Sequence, residues 1–339
     1  MAPMERCLAF PRSLVLFALT AVVAIALGPA RADSEWISSH HRSHPLVGTI
    51  WNTDFESVTP AQFQEALSKA DFVMLGEIHN NPDHHRLQAR IIKSLVASGR
   101  HPAIVFEMIP TSLQAKLDRY LADGHGNAAK LGKLLRWRER GWPDWAIYQP
   151  IAGVALAKGL PLIAGGLDRE VIKAVANSQP PSAYTKTIEE FGLDAPVRPE
   201  ITVALSREIN EGHCNLLPDA AVAPMIKIQR ARDAYLAKAM ISAKDEGAVL
   251  IAGSGHVRKD WAVPSMIRRK LPDAALVSVA FFEVGPERTL PSAYDQAVPG
   301  LAKPFDFIYL TPRADLTDHC AEMAKFLKKK KKSEGSGGR

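Results

Sequence analysis

Two hydrophobic patterns alternate along this chain: short apolar runs with no polar face, and longer stretches with an apolar position every three or four residues. Runs at 71–76, 103–107, 161–165, 248–252, 276–282 and 306–310 predict strands buried on both faces. Segments 61–69, 82–97, 111–122, 169–177 and 263–270 predict helices. In the second of these, Leu87, Ile91 and Leu95 form an inner stripe, and Asn81-Pro82 reads as N-cap and first helical residue. Strands alternating with helices predict an α/β fold, a mainly parallel sheet flanked by helices. A long stretch after the third strand run lacks any strand pattern and carries Pro180-Pro181 and a helical pattern from Asp219 to Lys244. We read roughly 180–246 as a helical cap inserted into the sheet domain, enclosing a pocket over the carboxyl edge.

Three of the strand runs end in ionisable groups. The first leads through Gly76 to Glu77 and His79, the second ends at Glu107, and the fourth runs into Gly253-Ser254-Gly255-His256. Each group read alone could be a solvated turn residue. The repetition points to a site above the carboxyl edge, where open parallel sheets place their ligands, provided the three strands are neighbours. Two imidazoles and two carboxylates suit a divalent metal or a general acid/base pair. The segments Met74–His79 and Ile251–His256 both run strand, Gly, turn, His, while Gly253-Ser254-Gly255 lacks the third glycine and later acid of a dinucleotide fingerprint. Trp137, Trp142, Trp145 and Tyr148 fit core packing.

The ends of the chain change the picture of charge and location. Arg6 and Arg12, an apolar stretch from Leu14 to Leu27 and Ala30-Arg31-Ala32 predict a signal peptide over 1–32. The apolar stretch is shorter than the roughly 18 residues of a spanning helix. Cys7 lies ahead of it, so the chain is not a lipoprotein by sequence, and a periplasmic or secreted location is expected. Residues 33–325 form the expected domain, and 326–339, with Lys328 to Lys332 and a Gly/Ser ending, the expected disordered tail. The formal charge of +6 sits in these two ends. The nearly neutral remainder argues against nucleic acid as a partner. Cys214 and Cys320 are left as a disulfide or as free thiols, and His40, His41 and His44 as mobile surface.

Residues Leu75–Gln88, Phe106-Glu107-Met108, Gln229-Arg230-Ala231-Arg232-Asp233 and Ala252–Arg258 resemble, in order, the motifs of the ChaN-like haem-binding uptake family. Its superfamily includes erythromycin esterases and Tiki-type metalloproteases. The resemblance implies an α/β core with a helical subdomain, haem as cofactor, a role in iron or haem acquisition, and haem held by Tyr and His at the interface of a homodimer. An outer-membrane haem receptor is an implied partner. His213 and Tyr235 are then candidate axial donors and Arg232 a candidate propionate partner. The chain departs from the family in lacking a lipobox cysteine, and in reading Gly165-Gly166-Leu167 after the third strand run. A metal-dependent or acid/base hydrolase using Glu77, His79, Glu107 and His256 is the second reading. A site retained only for structure is the third. Enzymatic activity ranks below haem binding.

Overall fold

The computed structural model describes residues 36–124, 126–179 and 181–336; the expected signal peptide lies outside them. In chain order the elements are β1 (Ile50–Asn52), α1 (Pro60–Ser68), β2 (Phe72–Glu77), α2 (Pro82–Ala97), β3 (Ala103–Pro110), α3 (Gln114–Ala122), α4 (Ala128–Leu134), α5 (Trp145–Ala157) and β4 (Leu162–Gly166). There follow α6 (Arg169–Ala176), α7 (Ser182–Phe191), α8 (Pro199–Gly212), α9 (Asp219–Ser242), β5 (Ala248–Gly253), α10 (Val263–Lys270), β6 (Leu276–Glu283), β7 (Phe307–Thr311) and α11 (His319–Ser336).

One sheet takes the order β1-β7-β6-β2-β5-β3-β4. All its pairings are parallel except that of β1 with β7, so this is the α/β architecture the alternation predicts. Successive side chains of the central strands enter opposite cores. Val73, Leu75, Ile104, Phe106, Val249 and Ile251 join the layer of α1, α2 and α5. Phe72, Met74, Val105, Leu250 and Ala252 join the layer of α9 and α10. A strand covered on both faces needs no polar alternation, which is why these runs read as continuous apolar segments.

The insertion between β4 and β5 is helical, and α9 belongs to two structures. Its C-terminal half, with Ala234, Ala237 and Met240, packs on the sheet. Ala231 and Tyr235 join Val175 and Tyr184 in a small separate cluster, and Ala204 and Leu205 of α8 pack on Trp261 and Ala262. The cap is therefore fixed by satellite apolar clusters while α9 anchors it to the main core.

The structure decides between the two cysteine readings and revises two other expectations. Cys214 and Cys320 form a disulfide across 106 residues, tying the end of α8 to the start of α11. Helix α11 covers most of the segment assigned to a disordered tail, since its Ala, Glu, Met, Leu and Lys residues are good helix formers. In addition, His40 pairs with Arg313 in an antiparallel bridge and His44 is buried, so this segment is fastened and not a mobile surface. No helix among the described residues is long and apolar enough to cross a membrane.

Candidate functional site

Strands β2, β5 and β3 are consecutive in the sheet, with Glu77 opposite Gly253 and Phe106 opposite Ile251. Their carboxyl ends therefore bring Glu77, Glu107 and the His256 turn together. Gly76 makes the approach possible: a Cβ there would meet Val257 Cγ2 at 2.4 Å and the Ser254 backbone at 2.8 Å. The Asn81 side chain caps α2, accepting from the Asp83 and His84 amides, with Pro82 in the first turn. This fixes the turn that carries His79.

Glu77 is buried and surrounded by donors. Tyr148 donates to Oε1 at 2.6 Å, His79 Nδ1 to the same oxygen at 2.9 Å, and Gln88 to Oε2 at 2.7 Å. His85 Nδ1 lies 3.1 Å from Oε2 and its Nε2 donates to the His79 carbonyl. Burial alone would raise the carboxyl pKa, but His85 and His79 outweigh it and hold the group well below the carboxylate range. Burial and Glu77 together push the Tyr148 phenol far up, so it stays a neutral donor. His79 is also raised: burial opposes its charged form, and Glu77 and Glu107 overcome it.

Glu107 forms the second half. Its Oε2 accepts from the Gly253 amide at 2.9 Å, and its Oε1 lies 3.2 Å from His256 Nε2. His256 Nδ1 donates to Asp233 at 2.6 Å. With a carboxylate on each ring nitrogen the imidazole is a double donor, hence protonated. Burial pulls against this, yet Glu107 and Asp233 lift His256 to about 10. Burial lifts Asp233 to about 6 against the opposing pull of His256. The two halves meet where His79 Nε2 lies 3.9 Å from Glu107 Oε2.

All four strand-end residues named from the sequence thus converge. Arg232 joins them, its Nη1 3.6 Å from Glu107 Oε1, so its nearest partner is a carboxylate of the site. Sequence reasoning missed Tyr148, Gln88 and Asp233 as members. Asp233 follows Gln229 by one helical turn, and both side chains meet His256, at 2.6 and 3.3 Å. That i,i+4 spacing is the signal that could have found it. Tyr148 carries no such signal, because it is one of a run of aromatics on the apolar helix α5.

The donor atoms of the chain point at one another instead of at a common centre. Among the described residues no group of three or more His, Cys, Asp or Glu is arranged to hold a metal ion. Two cavities flank the chain. One, of 740 Å³, is lined by Glu107, Trp142, Arg140, Asp168 and Arg232; the other, of 680 Å³, by Ile78, Glu208, Ser254, Arg258 and Glu283. His79 is the most open of the site's histidines and carboxylates, its side chain 34% exposed, with its ring centroid 5.1 Å from that of Trp142.

The two axial candidates lie elsewhere, on the cap. Tyr235 stacks on Tyr184 with centroids 6.0 Å apart, and burial raises its phenol against the lowering by the Thr187 hydrogen bond. His213 ends α8, half-buried beside the disulfide, with Nδ1 donating to the Ile209 carbonyl at 2.7 Å. A carbonyl can only accept, so in the neutral ring this contact puts the proton on Nδ1 and leaves the lone pair on Nε2.

Comparison with curated proteins returns no match. Among solved structures, one of cofacial haem binding to ChaN of Campylobacter jejuni shares 20% identity, with a TM-score of 0.60, over 77% of this chain and 95% of that one. A mutant erythromycin esterase, EreC, in its open conformation aligns over 80% of this chain and 99% of that one at 12% identity and a TM-score of 0.41. The first likeness shows the fold. Residues 63–267 match the family described as haem-binding uptake, Tiki superfamily, ChaN, a span that holds Glu77, His79, Glu107, Asp233 and His256, and the chain belongs to that family.

Proposed function

We propose that this protein binds haem, with the cap supplying the axial donor. Membership of the haem-binding uptake family carries the reading. His213 fits the chemistry of an axial ligand: its tautomer is fixed by the Ile209 carbonyl and its Nε2 lone pair is available. Tyr235 fits less well, because its environment favours the neutral phenol over the phenolate. Arg232 remains a propionate partner through the donors that Glu107 does not use. Bound haem would supply the iron that His213 ligates; the chain itself supplies orientation of that imidazole through α8 and the neighbouring disulfide.

A periplasmic or secreted location, delivery to or from an outer-membrane receptor, and haem held between two copies of the chain belong to the same proposal. The Cys214–Cys320 disulfide supports the export component, because such bonds persist in oxidising compartments. Haemin titration of residues 33–339, followed by Soret absorbance, tests the reading. A saturable, shifted band supports it, and binding no stronger than that of an unrelated control protein overturns it.

The Glu–His chain favours a second reading, acid/base hydrolysis. His79 is oriented through Nδ1 by Glu77 and Tyr148 while its ring stays partly exposed, the arrangement of a general base. The imidazolium of His256 beside Glu107 would stabilise developing negative charge. Hydrolysis of activated esters that disappears in His79→Ala would support this reading; wild-type rates equal to those of the variant would remove it.

A further inference from the structure

A third cavity, of 380 Å³, opens between the cap and the sheet domain and is lined by none of the chain's members. Its floor is apolar, with Ile201 and Leu205 from α8 and Trp261 and Met266 from the sheet domain. Arg198, Arg230, Arg268 and Arg269 surround that floor. Lys259 also lines it but pairs with Asp306. The one carboxylate in the lining, Asp260, is taken by Arg258, which donates to both its oxygens at 3.1 and 2.7 Å.

Among the described residues no carboxylate forms an ion pair with any of the four guanidiniums. Arg230 donates one N–H to the Leu193 carbonyl at 2.8 Å, leaving its other donors for a ligand. Burial and the neighbouring Arg269 both lower its pKa, and Tyr184, Asp233 and Asp194 only partly oppose them. Arg268 and Arg269 lie in the last turn of α10, where the helix dipole accounts for cations. It does not account for Arg198 and Arg230 arriving from other elements at the same cleft. Like charges gathered without ion-pair partners cost stability that a bound anion would restore.

We propose that this cleft binds a small organic anion bearing a phosphate group, the phosphate held by Arg230 and Arg269 and the apolar part resting on Trp261 and Met266. Guanidinium forks match phosphate oxygens in pairs, and one phosphate monoester carries nearly two charges on a single group. A monocarboxylate would neutralise only one of the cations. The volume falls at the small end of ligand pockets.

Isothermal titration calorimetry of residues 33–339 with phenyl phosphate at low salt tests this, alongside inorganic phosphate and phthalate. One-site binding is expected, weaker for inorganic phosphate, which lacks the ring, and weaker for phthalate, which lacks the phosphate. Arg230→Gln and Arg269→Gln should each weaken phenyl phosphate about tenfold, the loss of a charge-assisted contact. Arg269 is exposed, so its substitution leaves the packing intact and serves where Arg230→Gln disturbs the cap. No saturable heat with the wild type, or equal affinity in Arg269→Gln, overturns the site. Tighter binding of phthalate than of phenyl phosphate overturns the phosphate assignment.

Discussion

At the carboxyl edge of the sheet, His256 donates through both ring nitrogens to buried carboxylates. On the cap, His213 donates through one nitrogen to a carbonyl and keeps the other lone pair. The same contrast separates the cations. Arg232 lies against Glu107 at the edge, whereas among the described residues none of the four arginines around the cap cleft forms an ion pair with a carboxylate. Residues of one type are therefore closed on one another in the first region and open to a ligand in the second. The edge lies on strands covered on both faces, where buried charges must be paired, whereas His213 and the arginines of the cleft are half-buried or exposed. Composition cannot distinguish the two states, since both regions carry His, Arg and carboxylates. Pairing does.

The largest expected effect comes from opening the closed region. Glu107→Ala leaves His256 with one carboxylate and removes the acceptor of the Gly253 amide, which should cost about 3–5 kcal/mol in urea unfolding. A loss below about 1 kcal/mol would show that the chain is not a tightly coupled unit.

Stability should also follow the titration of the chain. His256 is raised from 6.5, so its contribution is complete below about 6.5 and is lost as pH rises through about 10. Glu77 and Glu107 are depressed, so theirs is present above their ordinary value of 4.5 and is lost as pH falls below it. Thermal melts across pH 4–11 should show decline at both ends, and Glu107→Gln should flatten the alkaline arm.

Gly76→Ala tests the approach of the turn to β2. The added Cβ would meet backbone at Ser254 as well as Val257, predicting a loss of about 1–3 kcal/mol in the same unfolding measurement. The smallest effect on stability belongs to the open region: His213→Ala should stay within about 0.5 kcal/mol of the parent.

What the sequence revealed divides along the same line. The three strands and their terminal Glu and His residues were legible because strands buried on both faces give unbroken apolar runs. Asn81-Pro82 marked the helix start for equally local reasons. Their adjacency, β2 beside β5 beside β3, was not legible, since it depends on where the chain returns after the cap. Tyr148 stayed hidden among aromatics that do pack in the core, its ring 4.7 Å from that of Trp137. Asp233 stayed hidden because α9 turns one face to the sheet and another to the cap, which blurs its periodicity. The three-residue β1 is too short to show a period. Cys214 and Cys320 pair only because the fold returns α11 to the end of α8.

The division between a closed edge and an open cap is tested most directly by haemin titration of His213→Ala and His79→Ala beside the parent protein. His213→Ala should shift or abolish the Soret band while His79→Ala leaves it unchanged. A band lost in His79→Ala and intact in His213→Ala would place the ligand at the sheet edge and overturn the division between the two regions.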